Sequence, residues 1–347
     1  MKISKMLLAF CLIVCVGVFM AAPPAMGEIK PMTIKFSTAK PDIDGRGMAL
    51  LTFKDIIQKK SDGKVKVNAY LSGSLYGERD EAEAIGSGAI DMVSFSPYTL
   101  LRFDYAFACG AIPDFFPDWK SWEKFWADPN GGGAVQKASA KMGMHFFGEW
   151  YSTAPYYAAP TTKKPIRKIS DFKGLKLRTP VGLEASAVGV GASPMSLPTA
   201  DSVTALQTGV VDGVAYTNYH LVKSTWLGVT KYCTDYGPNW TGTGGIAANK
   251  AWWDKLSPEM QSLVATSVKE AVAYVNEVMV KQDEELRAFM KSDKGYGKGF
   301  YDMQKEDPAE AKKWKQLVIA AFVNQYKSHW SNSFIDALEK YSGSKIR

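Results

Sequence analysis

Residues 169–219 constrain the fold more than any other part of the chain, because strand and helix patterns alternate there. Leu175 and Leu177 share one face of a predicted strand, which ends before Pro180. The segments that follow alternate in the same way: helix over 183–190, strand over 192–197, helix over 199–208 and strand over 210–216. Such alternation predicts a parallel sheet covered by helices, with ligands bound beyond the carboxyl ends of its strands.

Arg178 is predicted to lie at one of those carboxyl ends. A guanidinium group offers a rigid fork of donors that fits a carboxylate in two parallel hydrogen bonds. The pattern by itself favours an ordinary surface arginine at this position. Thr199, at the start of the second predicted helix, is expected to act as its N-cap.

Several motifs of the chain resemble one family of transport proteins. DFKGLKLRTP, GASP and ALQTGVVDG occur in this order and are similar to the solute-binding subunits of TRAP (tripartite ATP-independent periplasmic) transporters of the dicarboxylate (DctP) type. KKSDGKVKV, a Leu-x-Gly loop with an acidic residue, and GAIDM extend the resemblance over most of the chain. It implies a two-domain α/β periplasmic binding protein, with a cleft between the domains and a long helix bracing both.

The N-terminal residues have the pattern of a secretory signal peptide. Lys2 and Lys5 precede an apolar run over 6–20, and small residues over 25–27 resemble a cleavage site. The apolar run is too short for a comfortable membrane span, so an uncleaved anchor is the weaker alternative. We predict cleavage near Gly27 and export to the periplasm.

Net charge indicates the class of ligand that the rest of the chain could bind, and two cysteines raise the question of a disulfide. The net charge is +7 for the whole sequence and +5 without Lys2 and Lys5 of the predicted signal peptide, and it is spread along the chain rather than concentrated in runs, which suits an anionic ligand and predicts no nucleic-acid partner. Cys109 and Cys233 lie beyond the predicted signal peptide. In an oxidising compartment they could form a disulfide, and two buried thiols are an equal alternative.

The patterns and the resemblance together predict how the chain divides. The expected parts are a signal peptide over 1–27, an α/β domain I over 28–152 with about 242–280, an α/β domain II carrying the carboxylate clamp over 153–241, and C-terminal helices over 281–347 that pack across both domains. Residues 258–290 have sustained helical periodicity. Periodicity alone also allows a coiled coil, whereas the resemblance implies a single bracing helix.

Sequence motifs for catalysis and for cofactors are absent. HExxH, CxxC, GxSxG and GxxxxGK[ST] do not occur, and His145, His220 and His329 are not spaced as metal ligands. We therefore expect neither an enzyme nor a cofactor. In a sodium-dependent branch of the family an acidic residue is used near Tyr216, and Val214 and Ala215 stand there instead, which predicts no metal.

The resemblance implies that Arg178 is the main clamp for a ligand carboxylate. Several family members carry a second arginine where this chain has Ala158. Many carry an asparagine where Tyr216 stands, and Asn218 follows two residues later. Ser96 replaces an acidic residue found in some members. These departures predict one fixed cation and one ligand carboxylate, rather than a sugar acid or a highly polar dicarboxylate.

The other predicted ligand contacts are mostly aromatic and imply an apolar or aromatic ligand remainder. They are Tyr216, Trp150, Tyr151, Tyr157, Trp240, Tyr98, Asn218, Thr199 and Glu78. For each ring except Tyr216, ordinary core packing is the stronger alternative.

We therefore expect a periplasmic solute-binding protein that closes on a small organic acid and delivers it to the integral membrane subunits of a TRAP transporter. A monomer is expected rather than a dimer. The alternatives are a binding protein of an ABC transporter, a binding subunit of a sensor kinase and, less favoured, a periplasmic enzyme. The sequence does not identify the acid.

Overall fold

The computed structural model describes residues 29–113, 115–150, 156–180, 182–215, 217–238 and 244–347, which form a mixed α/β fold. The predicted signal peptide lies outside these residues. The described strands are β1 (Met32–Ser37), β2 (Val65–Tyr70), β3 (Met92–Phe95), β4 (Met144–Trp150), β5 (Tyr156–Thr161), β6 (Lys176–Thr179), β7 (Ser193–Ser196), β8 (Gly213–Val214), β9 (Tyr232–Pro238), β10 (Gly244–Asn249) and β11 (Phe300–Asp302).

Helices of very different lengths cover these strands. The described α-helices are α1 (Gly45–Lys60), α2 (Glu81–Ser87), α3 (Trp119–Ala127), α4 (Gly132–Lys141), α5 (Ala185–Val188), α6 (Thr199–Gln207), α7 (Tyr219–Leu221), α8 (Lys250–Asp254), α9 (Pro258–Lys291), α10 (Met303–Glu306), α11 (Pro308–Tyr326) and α12 (Asn332–Ser342). Short 3-10 helices lie at Pro97–Arg102, Tyr105–Ala108, Ile169–Phe172, Gly297–Gly299 and Lys327–His329, and a π-helical turn at Val222–Trp226 follows α7.

The first sheet has the strand order β2-β1-β3-β10-β4 among the described residues. β1 runs parallel to β2 and β3, whereas β10 runs antiparallel to β3 and β4. Neighbouring residues of a strand face opposite sides of the sheet. Accordingly, Met92 packs in the hydrophobic cluster that includes α1 and α9, and Val93 packs in the cluster on the other face. Both faces of the sheet are therefore covered.

The second sheet has the order β11-β9-β5-β8-β6-β7 in the described ranges. β6 runs parallel to β7 and β8, while β5 runs antiparallel to β8 and β9. Leu177 packs in one hydrophobic cluster and Val214 in another, so this sheet is also buried on two sides. Arg178 is the third residue of the four in β6, next to the carboxyl end of that strand.

The alternation predicted for residues 169–219 is confirmed as β6, α5, β7, α6 and β8. The last strand is shorter than expected and covers Gly213–Val214 rather than 210–216. Its start is delayed because the Val211 N–H donates to the Ala205 carbonyl, so the chain is still turning away from α6 at that residue. The mixed α/β class and the parallel pairing around β6 are as predicted.

The long helix α9 packs against both sheets, as the resemblance implied. Ser257 caps it, and Pro258 occupies the first turn, where a missing N–H costs nothing. Val264 and Val275 lie in the hydrophobic cluster of the first sheet, whereas Leu286 and Met290 lie in that of the second. A single helix of 34 residues thus braces the two sheets, and the coiled-coil alternative is wrong.

The C-terminal helices contact residues from both sides of the molecule. Tyr326, at the end of α11, donates its hydroxyl to the Gly182 carbonyl at 3.2 Å, and Trp330 donates its indole N–H to the Tyr105 carbonyl at 2.8 Å. The segment 281–347 is not wholly helical, because β11 adds a short strand beside β9. The domain boundaries given above remain predictions.

Cys109 and Cys233 are both buried, in different hydrophobic clusters, and no disulfide joins them. The structure therefore decides between the two alternatives that the sequence left open. Burial raises the pKa of the Cys233 thiol well above its ordinary value, with a further contribution from the charge of Asp235.

Candidate functional site

The candidate site lies where residues that follow the strands of the first sheet meet Arg178 of the second sheet. Glu78 follows β2, and Tyr98 follows β3. Both groups act on Arg178 electrostatically and favour its charged form. The candidate site is thus a cleft between the two sheets, next to the carboxyl end of β6.

Arg178 is a buried cation held in a fixed orientation. Its side chain is 3% exposed. Its Nε group donates to the Leu197 carbonyl at 2.9 Å, and its Nη2 group donates to the Thr199 hydroxyl at 3.2 Å. The guanidinium carbon lies 5.7 Å from the ring centre of Trp226, a cation–π distance. These contacts orient the guanidinium but bring it no negative charge.

None of the described carboxylates forms an ion pair with Arg178. Burial accordingly lowers the pKa of the guanidinium below its ordinary value, and the electrostatic interactions with Tyr98 and Glu78 only partly oppose this. An arginine remains protonated in proteins even so. The cleft therefore contains a buried positive charge without a direct counter-ion among the described residues.

Thr199 contributes differently from the expected N-cap. It is the first residue of α6, and its hydroxyl accepts from Arg178, while Pro198 occupies the cap position without a capping side chain. Behind it, Ser202 accepts a hydrogen bond of 2.7 Å from the Trp226 indole. The start of α6 thus supports the arginine and the ring on which it lies.

Glu78 is an ionised carboxylate on the opposite side of the cleft. Its Oε1 lies 2.8 Å from the Lys40 ammonium and accepts a 3.3 Å hydrogen bond from the Ser96 hydroxyl. Burial raises the pKa of Glu78, but the charge of Lys40, followed by those of Arg46 and Arg178, brings it below its usual value. The charge of Glu78 is therefore already matched, mainly by Lys40.

The sequence predicted one fixed cation, and that prediction is incomplete, because Arg46 is a second buried arginine at this site. Its Nε and Nη2 groups each lie 2.7 Å from a carboxylate oxygen of Asp44, and its Nη1 group donates to Ser96. Both members of the pair are almost fully buried. Because Asp44 compensates its charge, Arg46 differs electrostatically from Arg178.

Glu81 adds a carboxyl group that is neutral at pH 7. It is 2% exposed and accepts a hydrogen bond from the Ala39 N–H. Burial, followed by the charge of Glu78, raises the pKa of Glu81 to about 8. Sequence analysis missed Glu81, Asp44 and Arg46. The available signal was their position in the segments that connect predicted strands of the first sheet to the helices that follow.

Asn218 and His220 are polar residues after β8, and α7 provides a hydrogen-bond partner for the side chain of Asn218 only. The Asn218 side-chain oxygen accepts from the Leu221 N–H at 2.8 Å, so it caps α7. The Nε2 atom of His220 is buried and has no hydrogen-bond partner among the described residues. Burial lowers the pKa of His220, although the charge of Asp44 acts in the opposite direction. The two sheets therefore approach each other here as well.

Several predicted contacts cannot be placed. Tyr151, Tyr216 and Trp240 lie outside the described residues. Trp150 ends β4 and Tyr157 lies in β5, but their side chains also lie outside the description. Ala158 is buried in β5 and pairs through its backbone with Thr217. Of the predicted residues, Arg178, Thr199, Glu78, Tyr98 and Asn218 are brought to this side of the molecule.

Comparison with known proteins adds the family. The DctP model of bacterial extracellular solute-binding proteins, family 7, matches residues 36–327. The chain belongs to this family. A relative of this DctP-type protein is the C4-dicarboxylate-binding periplasmic protein DctP of Rhodobacter capsulatus, 27% identical over 302 residues that cover 85% of this chain and 86% of the relative.

Solved structures share the fold of this DctP-type protein. A TRAP periplasmic solute-binding protein from Shewanella oneidensis, with bound succinate, has a TM-score of 0.77 at 20% identity and covers 90% of this chain and 99% of that one. DctP7 of Bordetella pertussis, an extracytoplasmic solute receptor binding pyroglutamic acid, has a TM-score of 0.75 at 18% identity and covers 90% of this chain and 100% of that one.

The family consists of extracellular solute-binding proteins rather than enzymes, and relatives such as the Rhodobacter protein are periplasmic. None of the helices in the described ranges combines the length and the apolar character needed to cross a membrane. Within the same ranges, no group of three or more His, Cys, Asp and Glu side chains is arranged to hold a metal ion.

Proposed function

We propose that this DctP-type protein captures a small monocarboxylic acid with an apolar or aromatic remainder and clamps its carboxylate with Arg178. It delivers the acid to the integral membrane subunits of a TRAP transporter. The protein reaches the periplasm through its signal peptide, which is cleaved near Gly27, and it acts as a monomer.

The observation that carries this proposal is the buried charge of Arg178, which has no ion-pair partner within the ranges that the structure describes. Burying an unpaired charge is costly, and in proteins such groups are normally paired. The two hydrogen bonds that Arg178 donates, to the Leu197 carbonyl and to the Thr199 hydroxyl, fix the guanidinium plane. A ligand carboxylate would supply the missing charge and would accept hydrogen bonds from a group that needs no reorientation.

The ion pairs within the cleft favour a ligand with one carboxylate rather than two. Asp44 matches Arg46, and Lys40 matches Glu78, so Arg178 is the cation that a ligand would neutralise. A second carboxylate near Glu78 would meet a negative charge. The relatives are compatible with an acid ligand: the Shewanella protein holds succinate, and DctP7 binds pyroglutamic acid, which has a single carboxylate.

The apolar or aromatic remainder is the part of the proposal that rests most on sequence. Trp150, Tyr151, Tyr157, Tyr216 and Trp240 are the proposed ring contacts. Two further rings, Tyr98 and Trp226, are described beside Arg178. Rings around a single cation favour a flat or apolar group attached to the carboxylate.

The test compares Arg178→Met with Arg167→Met, which makes the same change at an exposed arginine outside the cleft. Benzoate, phenylacetate, pyroglutamate, succinate and galactonate are titrated calorimetrically into each protein. Loss of a charge-assisted hydrogen bond costs about 1.5–3 kcal/mol, so the cleft variant should bind the best acid roughly 10- to 100-fold more weakly. The control should bind as the parent does.

Two results would contradict this proposal. Equal affinity of Arg178→Met and the parent would remove Arg178 as the clamp. Tighter binding of succinate or galactonate than of benzoate, phenylacetate and pyroglutamate would leave the clamp intact but refute the ligand class.

The transporter partner is tested by uptake in cells: dependence on an ion gradient supports TRAP subunits, whereas dependence on ATP supports the ABC alternative.

A further inference from the structure

The second sheet has a continuous edge at the opposite ends of its strands from Arg178. The strands β6, β7, β8, β9 and β11 run in one direction and begin at this edge, and β5 ends there. Backbone hydrogen bonds join the segments at this edge. The Lys231 N–H donates to the Thr161 carbonyl at 2.9 Å, and the Asp212 N–H donates to the Lys176 carbonyl at 2.7 Å. The segments therefore form one surface.

This surface is strongly basic, and we call it the basic edge. Its lysines are all exposed: Lys163, Lys164, Lys173, Lys176, Lys231 and Lys298. In the described segments at this edge, the carboxylates are Asp212 and Asp293. Asp212 is almost fully buried and pairs with the Lys163 ammonium at 2.5 Å, while Lys294 directly follows Asp293 and matches its charge. The six lysines and Asp212 leave a net charge of +5.

The corresponding edge of the first sheet is electrically balanced. The described segments that lead into β1, β2, β3 and β4 contain Lys30 and Lys64, but also Asp62 and Asp91. The basic edge is therefore a particular feature of the second sheet. It arises from strand order, because its lysines come from separate parts of the sequence. Adjacent strands lie about 4.8 Å apart, so the row from β11 to β6 is about 19 Å long, which fits an extended anionic surface better than one small anion.

Two apolar side chains protrude at the basic edge. Val210 lies in the segment that leads into β8, and Val188 ends α5, just before the turn into β7. These side chains are 45% and 56% exposed. Lysines beside exposed apolar groups match an anionic lipid surface, where the ammonium groups meet phosphates and the apolar groups enter the boundary with the acyl chains. A nucleic acid would match the charge but not the valines.

We propose that the basic edge holds this protein on an anionic membrane surface. The lysines lie against lipid phosphates, and Val188 and Val210 reach the level at which the acyl chains begin. Because Arg178 lies towards the other ends of the strands, the cleft faces away from the lipid in this orientation. The attachment does not depend on which acid the cleft binds, so it does not rest on the proposed function.

The test is flotation of the mature protein, without its predicted signal peptide, with lipid vesicles. Vesicles of phosphatidylglycerol and phosphatidylcholine in equal amounts should carry the protein, and binding should weaken as salt is added. Vesicles of phosphatidylcholine alone should not carry it. Lys164→Gln, Lys173→Gln and Lys231→Gln together should weaken binding on the order of 100-fold. Lys163 is left unchanged because it pairs with Asp212.

The matched control removes three exposed lysines on the side of the first sheet, by Lys30→Gln, Lys59→Gln and Lys64→Gln, and should bind as the parent does. Val188→Ser with Val210→Ser should weaken vesicle binding roughly three- to tenfold and leave its dependence on salt unchanged. Equal loss in the two triple variants, unchanged binding in the valine variant, or equal binding to phosphatidylcholine alone would each overturn the proposal. Binding to duplex DNA as tight as to the vesicles would do so as well.

Acid binding distinguishes failure of this proposal from failure of the carboxylate clamp. The triple variant of the basic edge should bind the best acid and melt as the parent does, which shows that it is folded. Arg178→Met should lose the acid but still float with the anionic vesicles. Loss of flotation in a folded Arg178→Met protein would refute an attachment that is independent of the cleft.

Discussion

Thr199 acts at the site through Arg178. Replacing Thr199 therefore tests how much the orientation of the Arg178 guanidinium contributes to acid affinity. Its hydroxyl accepts from the Nη2 group of Arg178 at 3.2 Å. Thr199→Val keeps the branched shape and removes that acceptor. We expect acid affinity to fall about two- to tenfold, less than in Arg178→Met, because one neutral acceptor contributes about 0.5–1.5 kcal/mol.

The measurement for Thr199→Val is calorimetric titration with the acid that binds the parent best. Thr204→Val, which changes the same residue type in the same helix α6, is the control and should leave affinity unchanged. If Thr199→Val binds as tightly as the parent, the Leu197 carbonyl alone orients the guanidinium.

Glu81 predicts a pH dependence of stability that can be assigned to one residue. Its pKa is raised to about 8 from an ordinary value of 4.5, by burial and by the charge of Glu78. Between these two pH values the folded protein holds a proton on this group that the unfolded chain has lost. Stability therefore decreases as the pH rises through this window, by about 1.4 kcal/mol per pH unit at its steepest.

Denaturant unfolding from pH 5 to pH 8 measures this effect in Glu81→Gln and in the parent. The variant cannot ionise, so its free energy of unfolding should fall less with pH than that of the parent. Glu83→Gln changes an exposed glutamate two residues later and should follow the parent. Parallel pH curves for Glu81→Gln and the parent would show that Glu81 does not have a raised pKa.

At the scale of elements, ion pairs join the end of α9 to the second sheet. Arg287 contacts Asp235 of β9 at 2.5 Å and Asp302 of β11 at 2.8 Å, and Asp235 is fully buried. Arg287→Met leaves the buried carboxylate of Asp235 without its cation. Breaking such a pair from one side costs about 3–5 kcal/mol, so we expect a loss of stability of that order.

Chemical denaturation of Arg287→Met and of Lys281→Met tests this anchor. Lys281 is exposed on the same helix, and its loss should change stability little. A double variant, Arg287→Met with Asp235→Asn, should recover part of the lost stability, because the uncompensated charge is then absent. Little change in Arg287→Met would mean that the apolar contacts of Leu286 and Met290 anchor the helix unaided.

The elements were more predictable than the site, for a physical reason. Patterns of period two and period 3.6 are local, so β6, α5, β7, α6 and the helix α9 could be predicted from the residues themselves. The pairing of Arg46 with Asp44 is also local. Its approach to Ser96, however, depends on which strand ends lie side by side, and this strand order cannot be read from the sequence.

Resemblance to the family was likewise limited to contiguous motifs, and it therefore identified only part of the site. It located Arg178 because KLR is a motif of contiguous residues, whereas Glu81 and Arg46 belong to no motif that we recognised. Arg46 is neutralised by its near neighbour Asp44, but the position of this pair beside Ser96, in the same cleft as Arg178, became visible only in three dimensions.

For the whole molecule, Gly182 is a point of close contact between the two sides of the cleft. A Cβ atom there would lie 2.8 Å from the Tyr98 carbonyl oxygen, and its φ of +86° is unfavourable for other residues. Gly182→Ala should therefore hold the two sides apart. We expect weaker acid binding without the loss of any ligand contact, because the closed arrangement becomes less populated.

Small-angle scattering with and without the acid, together with calorimetry, checks the Gly182 prediction. The variant should bind more weakly and keep a larger radius of gyration at equal saturation. Gly191→Ala is a suitable control, since that residue also has a positive φ but has open space around its Cβ position. Equal weakening in both variants would assign the effect to backbone strain alone.

The unmatched charge of Arg178 also has a consequence for anyone who purifies this protein. A buried, preorganised cationic site is unfavourable when it is empty, because its charge then lacks a counter-ion. Protein purified from cells should therefore carry an acid that it bound there. Mass spectrometry of the supernatant after acid precipitation should then reveal a carboxylate present in equal amount to the protein and missing from Arg178→Met. Acetate buffers would compete for the same site, and the empty form would be obtained by unfolding, dialysis and refolding.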